Sequence, residues 1–116
     1  IEDDGLFINS LNGFPGPYSS YVFKTIGNKG ILNLLKNNRH AKFISIITFY
    51  DKKTLQSFEA KLDGTISNSQ KGKGWGYDPI FLPKNSQKTF AEMNDKNKLS
   101  HRYKALKKFS NWYLHK

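Results

Sequence analysis

Residues 41–50 read AKFISIITFY, and residues 51–62 continue DKKTLQSFEAKL. The first stretch is dense in Phe, Ile and Thr, side chains that suit a pleated and largely buried surface, so Ala41 to Tyr50 is expected to be a strand. Asp51 to Thr54 supplies turn residues. After them Phe58, Ala60 and Leu62 alternate with Ser57, Glu59 and Lys61, the period of a strand with one buried face, and the two strands are expected to pair as a hairpin. A third short strand is expected to start after Asp63-Gly64. Upstream, Leu6 to Ile8 reads as the end of a short strand, followed by the breaker cluster Asn12-Gly13-Phe14-Pro15-Gly16-Pro17. A helix is expected beyond it, with Ser19 or Ser20 as N-cap and with Gly27 and Gly30 dividing the segment in two. Downstream, Asn68 to Gly76 reads as a flexible loop that stiffens into Tyr77-Asp78-Pro79-Ile80-Phe81-Leu82-Pro83. From Ser100 the pattern is helical: Tyr103, Leu106, Phe109, Trp112 and Tyr113 recur on a core-facing side, and Lys104, Lys107, Lys108 and Asn111 fall on the other.

The chain has 116 residues, of which 37% are hydrophobic and 15% aromatic, enough for one domain with a small core. The absence of Cys excludes disulfides, thiolate zinc sites and cysteine nucleophiles, and fits a reducing, cytoplasmic setting. Its longest strongly apolar stretch, Phe43 to Tyr50, is too short to cross a bilayer. A formal net charge of +10 draws anions, so nucleic acids, nucleotides and anionic membranes are the partner classes to weigh. Only Arg39 and Arg102 among the 19 basic residues are Arg, which argues against bidentate readout of DNA bases.

Against this basic background Glu2, Asp3 and Asp4 stand together before Gly5. Adjacent carboxylates are suitable ligands for a hard divalent cation such as magnesium, and they equally describe a solvated acidic terminus. Ser100 is suited to cap the last helix, which puts His101 and Arg102 in its first turn, where a cation runs against the helix dipole. Donors aimed at an acceptor-rich ligand would account for that placement, as would two side chains that simply reach solvent. Trp75-Gly76-Tyr77-Asp78-Pro79 brings two aromatic faces and a carboxylate to one loop. Such a loop can stack a nucleobase and accept from its N–H, although core packing accounts equally well for either aromatic taken singly. Neither a Gly-x-Ser-x-Gly elbow, a helical His-x-x-x-His pair nor a full P-loop is present.

Glu2-Asp3-Asp4-Gly5-Leu6, Asn12-Gly13-Phe14-Pro15-Gly16-Pro17-Tyr18-Ser19, Gly76-Tyr77-Asp78-Pro79-Ile80-Phe81, Thr89-Phe90-Ala91-Glu92-Met93, and Lys96 with Ser100-His101-Arg102 resemble, in order and spacing, successive blocks of the inosine triphosphate pyrophosphatase family. The resemblance implies an α/β fold: an elongated mixed β-sheet flanked by helices in two lobes with a central cleft. It implies hydrolysis of ITP, dITP or XTP to the monophosphate and pyrophosphate with magnesium, as a nucleotide-pool house-cleaning enzyme and usually a homodimer. Carried over by position, Asp3 matches the carboxylate that binds the metal and orients or deprotonates the attacking water. Asp4 stands where the family usually has Ser or Thr beside the substrate. Trp75, Gly76, Tyr77 and Asp78 match the base-pocket segment, and Lys96, His101 and Arg102 the remaining nucleotide contacts. Family members begin with a strand, a phosphate-binding loop and a helix that do not precede Ile1. Residues 1–116 are therefore expected to be a single N-terminally truncated domain, with activity of this chain alone in question.

The chemistry agrees with the resemblance. Hypoxanthine and xanthine carry a keto oxygen where adenine carries an amino group, so donors from Lys96, His101 or Arg102 accept the former and clash with the latter. Two other readings compete: a basic single-strand nucleic-acid-binding module, whose affinity would fall steeply with salt, and a catalytically impaired fragment that only dimerises. The first leaves the acidic triplet unexplained, which disfavours a nucleic-acid partner.

Overall fold

A computed structural model describes residues 2–93 and 101–115, with the side chains of residues 101 and 102 outside that description. The chain runs β1 (Glu2–Ile8), short 3-10 turns at Asn9–Leu11 and Gly16–Tyr18, α1 (Ser19–Thr25), α2 (Gly27–Leu34), β2 (His40–Tyr50) and β3 (Leu55–Ile66). Further 3-10 turns at Asp78–Ile80 and Phe90–Glu92 flank β4 (Phe81–Pro83), and α3 (His101–Leu114) closes the chain. The strands form one sheet in the order β1-β2-β3-β4, and every pairing among them is antiparallel. No helix among the described residues is long and apolar enough to cross a membrane.

The hairpin forms as its alternation predicts, and it is longer than its apolar stretch. Phe43 lies opposite Leu62, Ser45 opposite Ala60 and Ile47 opposite Phe58, so these pairs share one face. β1 adds to the other side of β2, with Leu6 opposite Phe43 and Asp4 opposite Ser45. Instead of ending at Asp63-Gly64, β3 runs through this pair, because Gly64 faces Pro83 of β4. A Cβ on Gly64 would stand 2.2 Å from the Leu82 carbonyl oxygen, so only glycine admits β4 this closely. Gly27, with φ +63, separates α1 from α2 as expected, and Gly30 lies within α2.

Two apolar clusters pack on the same sheet face. The larger joins Leu6, Ile8 and Phe43 to Val22 and Ile31 of the helices and to Tyr77, Ile80, Phe81 and Phe90. Phe43 stacks on Phe90 at 6.0 Å and tilts against Phe81 at 4.6 Å. Phe81 and Phe90 are at most 1% exposed, and each contributes about 1.5–3 kcal/mol by burial. The smaller cluster sets Ala105 and Phe109 of α3 on Ile47 and Ala60. Its inner stripe is Ala105, Phe109 and Trp112, narrower than the periodicity suggests: Tyr103, Leu106 and Tyr113 are 44%, 43% and 51% exposed. α3 rests on only two strands, and a sheet surface that narrow covers one stripe of a helix.

Between the clusters runs a polar row. Ser45 is fully buried and its hydroxyl donates to Asp4 Oδ1, while Asp4 itself stays exposed. The face is thus divided into two packed groups that meet at a carboxylate, the two-lobed arrangement that the motifs imply. Replacing Gly64 with Ala should lower unfolding free energy by about 1–3 kcal/mol through collision with β4. Denaturant titration of the full-length protein measures it, and an unchanged midpoint would contradict the close approach of β3 and β4.

Candidate active site

β1 is an edge strand, and successive residues along it turn to opposite faces. Glu2 and Asp4 therefore share the face of Leu6, whereas Asp3 shares the opposite face with Gly5 and Phe7. The acidic triplet does not converge on one point, and Gly5 lies within the strand and not in a turn. Asp3 is exposed and lies opposite Ile46 in register.

Along α3, Ala105 contacts the Ile47 and Ala60 level, and Phe109 and Trp112 contact Phe49 and Phe58. The helix hence runs toward the β2–β3 turn. Its first turn lies about 6 Å before Ala105 at 1.5 Å per residue. That reaches back toward the Asp4–Ser45 row, about 7 Å along β2 from Ile47. The backbone of His101 and Arg102 thus starts on the cleft side of the sheet with Asp4, while Asp3 turns away from that face. Lys96 lies outside the described residues.

The 75–78 segment is assembled from distant parts of the chain. Trp75 is 88% exposed, whereas Tyr77 and Asp78 are 7% and 9% exposed. The Asp78 N–H donates to the Trp75 carbonyl at 3.1 Å. Gly76 takes φ +56, a left-handed conformation that glycine adopts without strain. Lys71 is bound at both backbone groups, its N–H to the Pro79 carbonyl at 2.9 Å and its carbonyl by the Thr89 hydroxyl at 2.7 Å. Thr89 in turn forms a capping box with Glu92, so the Thr89-Phe90-Ala91-Glu92 block braces this loop.

Ser19 ties the loop to β1. It does not cap α1 with its side chain. Its Oγ accepts from the Leu6 N–H at 2.8 Å and donates to the Gly16 carbonyl at 2.7 Å. Its own carbonyl accepts from Tyr77 Oη at 2.7 Å. The Tyr77 ring also meets Phe23 edge-on at 5.3 Å. Burial holds the Tyr77 phenol in its neutral form and pushes its pKa up to about 12. Ser19 and Thr89 stand in the motif blocks but not for these roles, and Asn28, whose Nδ2 donates to the Gly76 carbonyl at 2.9 Å, does not stand out in the sequence at all, because each acts through a backbone group far along the chain.

Among the described residues no three His, Cys, Asp or Glu side chains come together to hold a metal. The lone Asp3 carboxylate suits only an ion completed by water and substrate oxygens, which is how magnesium is commonly bound beside phosphates. An open depression of about 660 Å³ lined by Arg39, His40, Thr65 and Lys71 lies at the other end of β2 and β3 and includes none of the candidate residues.

Comparison with known proteins assigns the family. Residues 1–112 match the model of the Ham1 family, and the chain belongs to it. It is 56% identical over 117 residues to a dITP/XTP pyrophosphatase of Pyrococcus horikoshii, covering 97% of this chain and 63% of that protein. It is 50% identical over 117 residues to a dITP/XTP pyrophosphatase of Korarchaeum cryptofilum, covering 98% and 64%. The chain thus spans just under two thirds of the length of these relatives. A solved HAM1 protein from Coxiella burnetii superposes with TM-score 0.91 at 29% identity, over 99% of this chain and 66% of that one. The family and the α/β class implied by the five motif blocks are both borne out.

Tyr77→Phe should reveal the buried phenol. In the wild type the folded state keeps its phenol proton above the ordinary pKa of 10.0, so stability is intact below that value and falls as pH rises toward about 12. The fall amounts to roughly 2–3 kcal/mol for a shift of this size, and Tyr77→Phe should lack that part of it. Urea melts between pH 9 and about 11.5 measure the difference, and parallel curves would contradict a buried, neutral phenol.

Proposed function

We propose that the full-length protein is a nucleoside triphosphate pyrophosphohydrolase that converts deaminated purine nucleotides such as dITP, XTP and ITP to the monophosphate and pyrophosphate. The observation that carries this reading is the turn at 75–78, where a solvent-exposed indole projects from residues locked into the core. A flat purine ring can stack there while Tyr77 and Asp78 hold the loop. The relatives named dITP/XTP pyrophosphatase, at 50% and 56% identity, support the same substrates.

In this reading Trp75 stacks the base, and Lys96, His101 and Arg102 donate to its 6-keto oxygen. Adenine presents donors to those donors, and each unmet buried donor costs about 1–3 kcal/mol, about 10- to 100-fold in selectivity. With the base held on the Leu6 face and the triphosphate passing over the open edge of β1, the Asp3 carboxylate on the opposite face orients a water for in-line attack on the α-phosphorus and takes its proton as the bond to pyrophosphate breaks. Asp3 would also hold magnesium with phosphate oxygens and water, and the ion, when bound, neutralises charge developing on the leaving group. Asp4, on the cleft-side face, keeps the Ser45 hydroxyl bound and brings a negative charge where the family usually carries a neutral hydroxyl. A homodimer and a cytoplasmic setting belong to the same proposal.

The test is pyrophosphate release by the full-length protein. It should favour dITP over dATP by about 100-fold in kcat/KM. Asp3→Asn should lower kcat by about 100-fold or more, whereas Asp4→Ser should retain activity. Equal turnover of dITP and dATP would remove the specificity assignment. Loss in Asp4→Ser with activity kept in Asp3→Asn would transfer the catalytic role to Asp4.

A further inference from the structure

The turn at 75–78 has Gly76 at φ +56 and Tyr77 at φ −83, ψ 1, which makes it type II′. What distinguishes that turn is the direction of its middle peptide, between Gly76 and Tyr77. The carbonyl of this peptide accepts from Asn28 Nδ2 at 2.9 Å, a partner 48 residues away in the first turn of α2. In a trans peptide the N–H points opposite to the carbonyl. Once Asn28 holds the Gly76 oxygen, the Tyr77 N–H must face away from α2, and it has no acceptor among the described residues.

Asn28 is itself an unexpected residue for its place. It is 8% exposed, and its Oδ1 meets no hydrogen-bond partner among the described residues. Asn is a weak helix former, and an unmet buried acceptor is unfavourable, so an apolar side chain would serve α2 better. What Asn supplies is the donor on Gly76. Gln70 Oε1, at 3.5 Å from the same nitrogen, is only at the limit of a bond.

We propose that Asn28 is a positioning residue for recognition of the purine base. By locking the middle peptide of the turn it sets the directions of Trp75 and of the Tyr77 N–H before substrate arrives, which reduces the ordering needed on binding. The inference rests on the pyrophosphohydrolase reading and deepens it: α2, through Asn28, tunes affinity for the base.

The experiment compares the full-length wild type with Asn28→Ala. Turnover of dITP by the wild type is the control for the underlying reading, and its absence would overturn that reading. With the wild type active, Asn28→Ala should raise KM for dITP about tenfold and leave kcat within about twofold, the effect of losing one orienting hydrogen bond. Inhibition by deoxyinosine monophosphate should weaken in parallel, while inhibition by inorganic tripolyphosphate, which lacks a base, should not change. Asn28→Gln, which keeps the amide donor, should recover part of the loss. An unchanged KM, or equal weakening for both inhibitors, would overturn the role. Should Asn28→Ala not fold, the near-isosteric Asn28→Asp, which replaces the donor with an acceptor, carries the same comparison. Failure of both to fold would assign Asn28 to the core and overturn the proposal.

Discussion

The Ser19 hydroxyl is the contact on which the arrangement of the candidate site depends. Leu6 is fully buried in β1, and its outward N–H faces no neighbouring strand among the described residues, only the Phe7–Pro15 bridge beside it. A buried amide left unmet is costly, and Ser19 Oγ meets it. Because the Ser19 carbonyl also binds the Tyr77 phenol, that one residue joins β1 to the 75–78 turn. Asp3 is about 10 Å up the strand from Leu6. The acidic end of β1 and the aromatic turn are therefore held by one short path of hydrogen bonds and not by packing alone.

The second organising constraint is strand alternation. An edge strand cannot aim neighbouring carboxylates at one point, so Asp3 and Asp4 are sorted to different faces whatever their chemistry. Asp4 falls on the row that separates the two apolar clusters, where Ser45 receives it and the first turn of α3 approaches. Packing divides the face: Phe43 and its neighbours form one cluster, Ala105 and Phe109 gather the other, and the Ser45–Asp4 pair lies between them.

Local features of the sequence were legible where local physics decides. The alternation of Phe58, Ala60 and Leu62 predicts the hairpin face, and Gly27 predicts the division of the first helical segment. Asp63-Gly64 misleads because its glycine serves close approach to Leu82 and not a turn. The breadth of the α3 stripe misleads at Tyr103 and Leu106, since periodicity shows which residues are apolar and not how wide a surface receives them. In the site, Trp75 to Asp78 were legible as an aromatic loop carrying a carboxylate. Asn28 was not, and Ser19 and Thr89 were legible as motif residues but not in their tying roles, because each holds a backbone carbonyl or N–H distant in sequence, and a backbone group has no signature in the residue that carries it.

The account stands on a purine base stacking against the indole of Trp75. The measurement closest to that contact is tryptophan emission of the full-length protein titrated with deoxyinosine monophosphate, with Trp75→Phe as the reference for all other tryptophans. Saturable quenching in the wild type, absent from Trp75→Phe and not produced by tripolyphosphate, is the predicted result. Emission that does not respond to the nucleotide while dITP hydrolysis proceeds would contradict it.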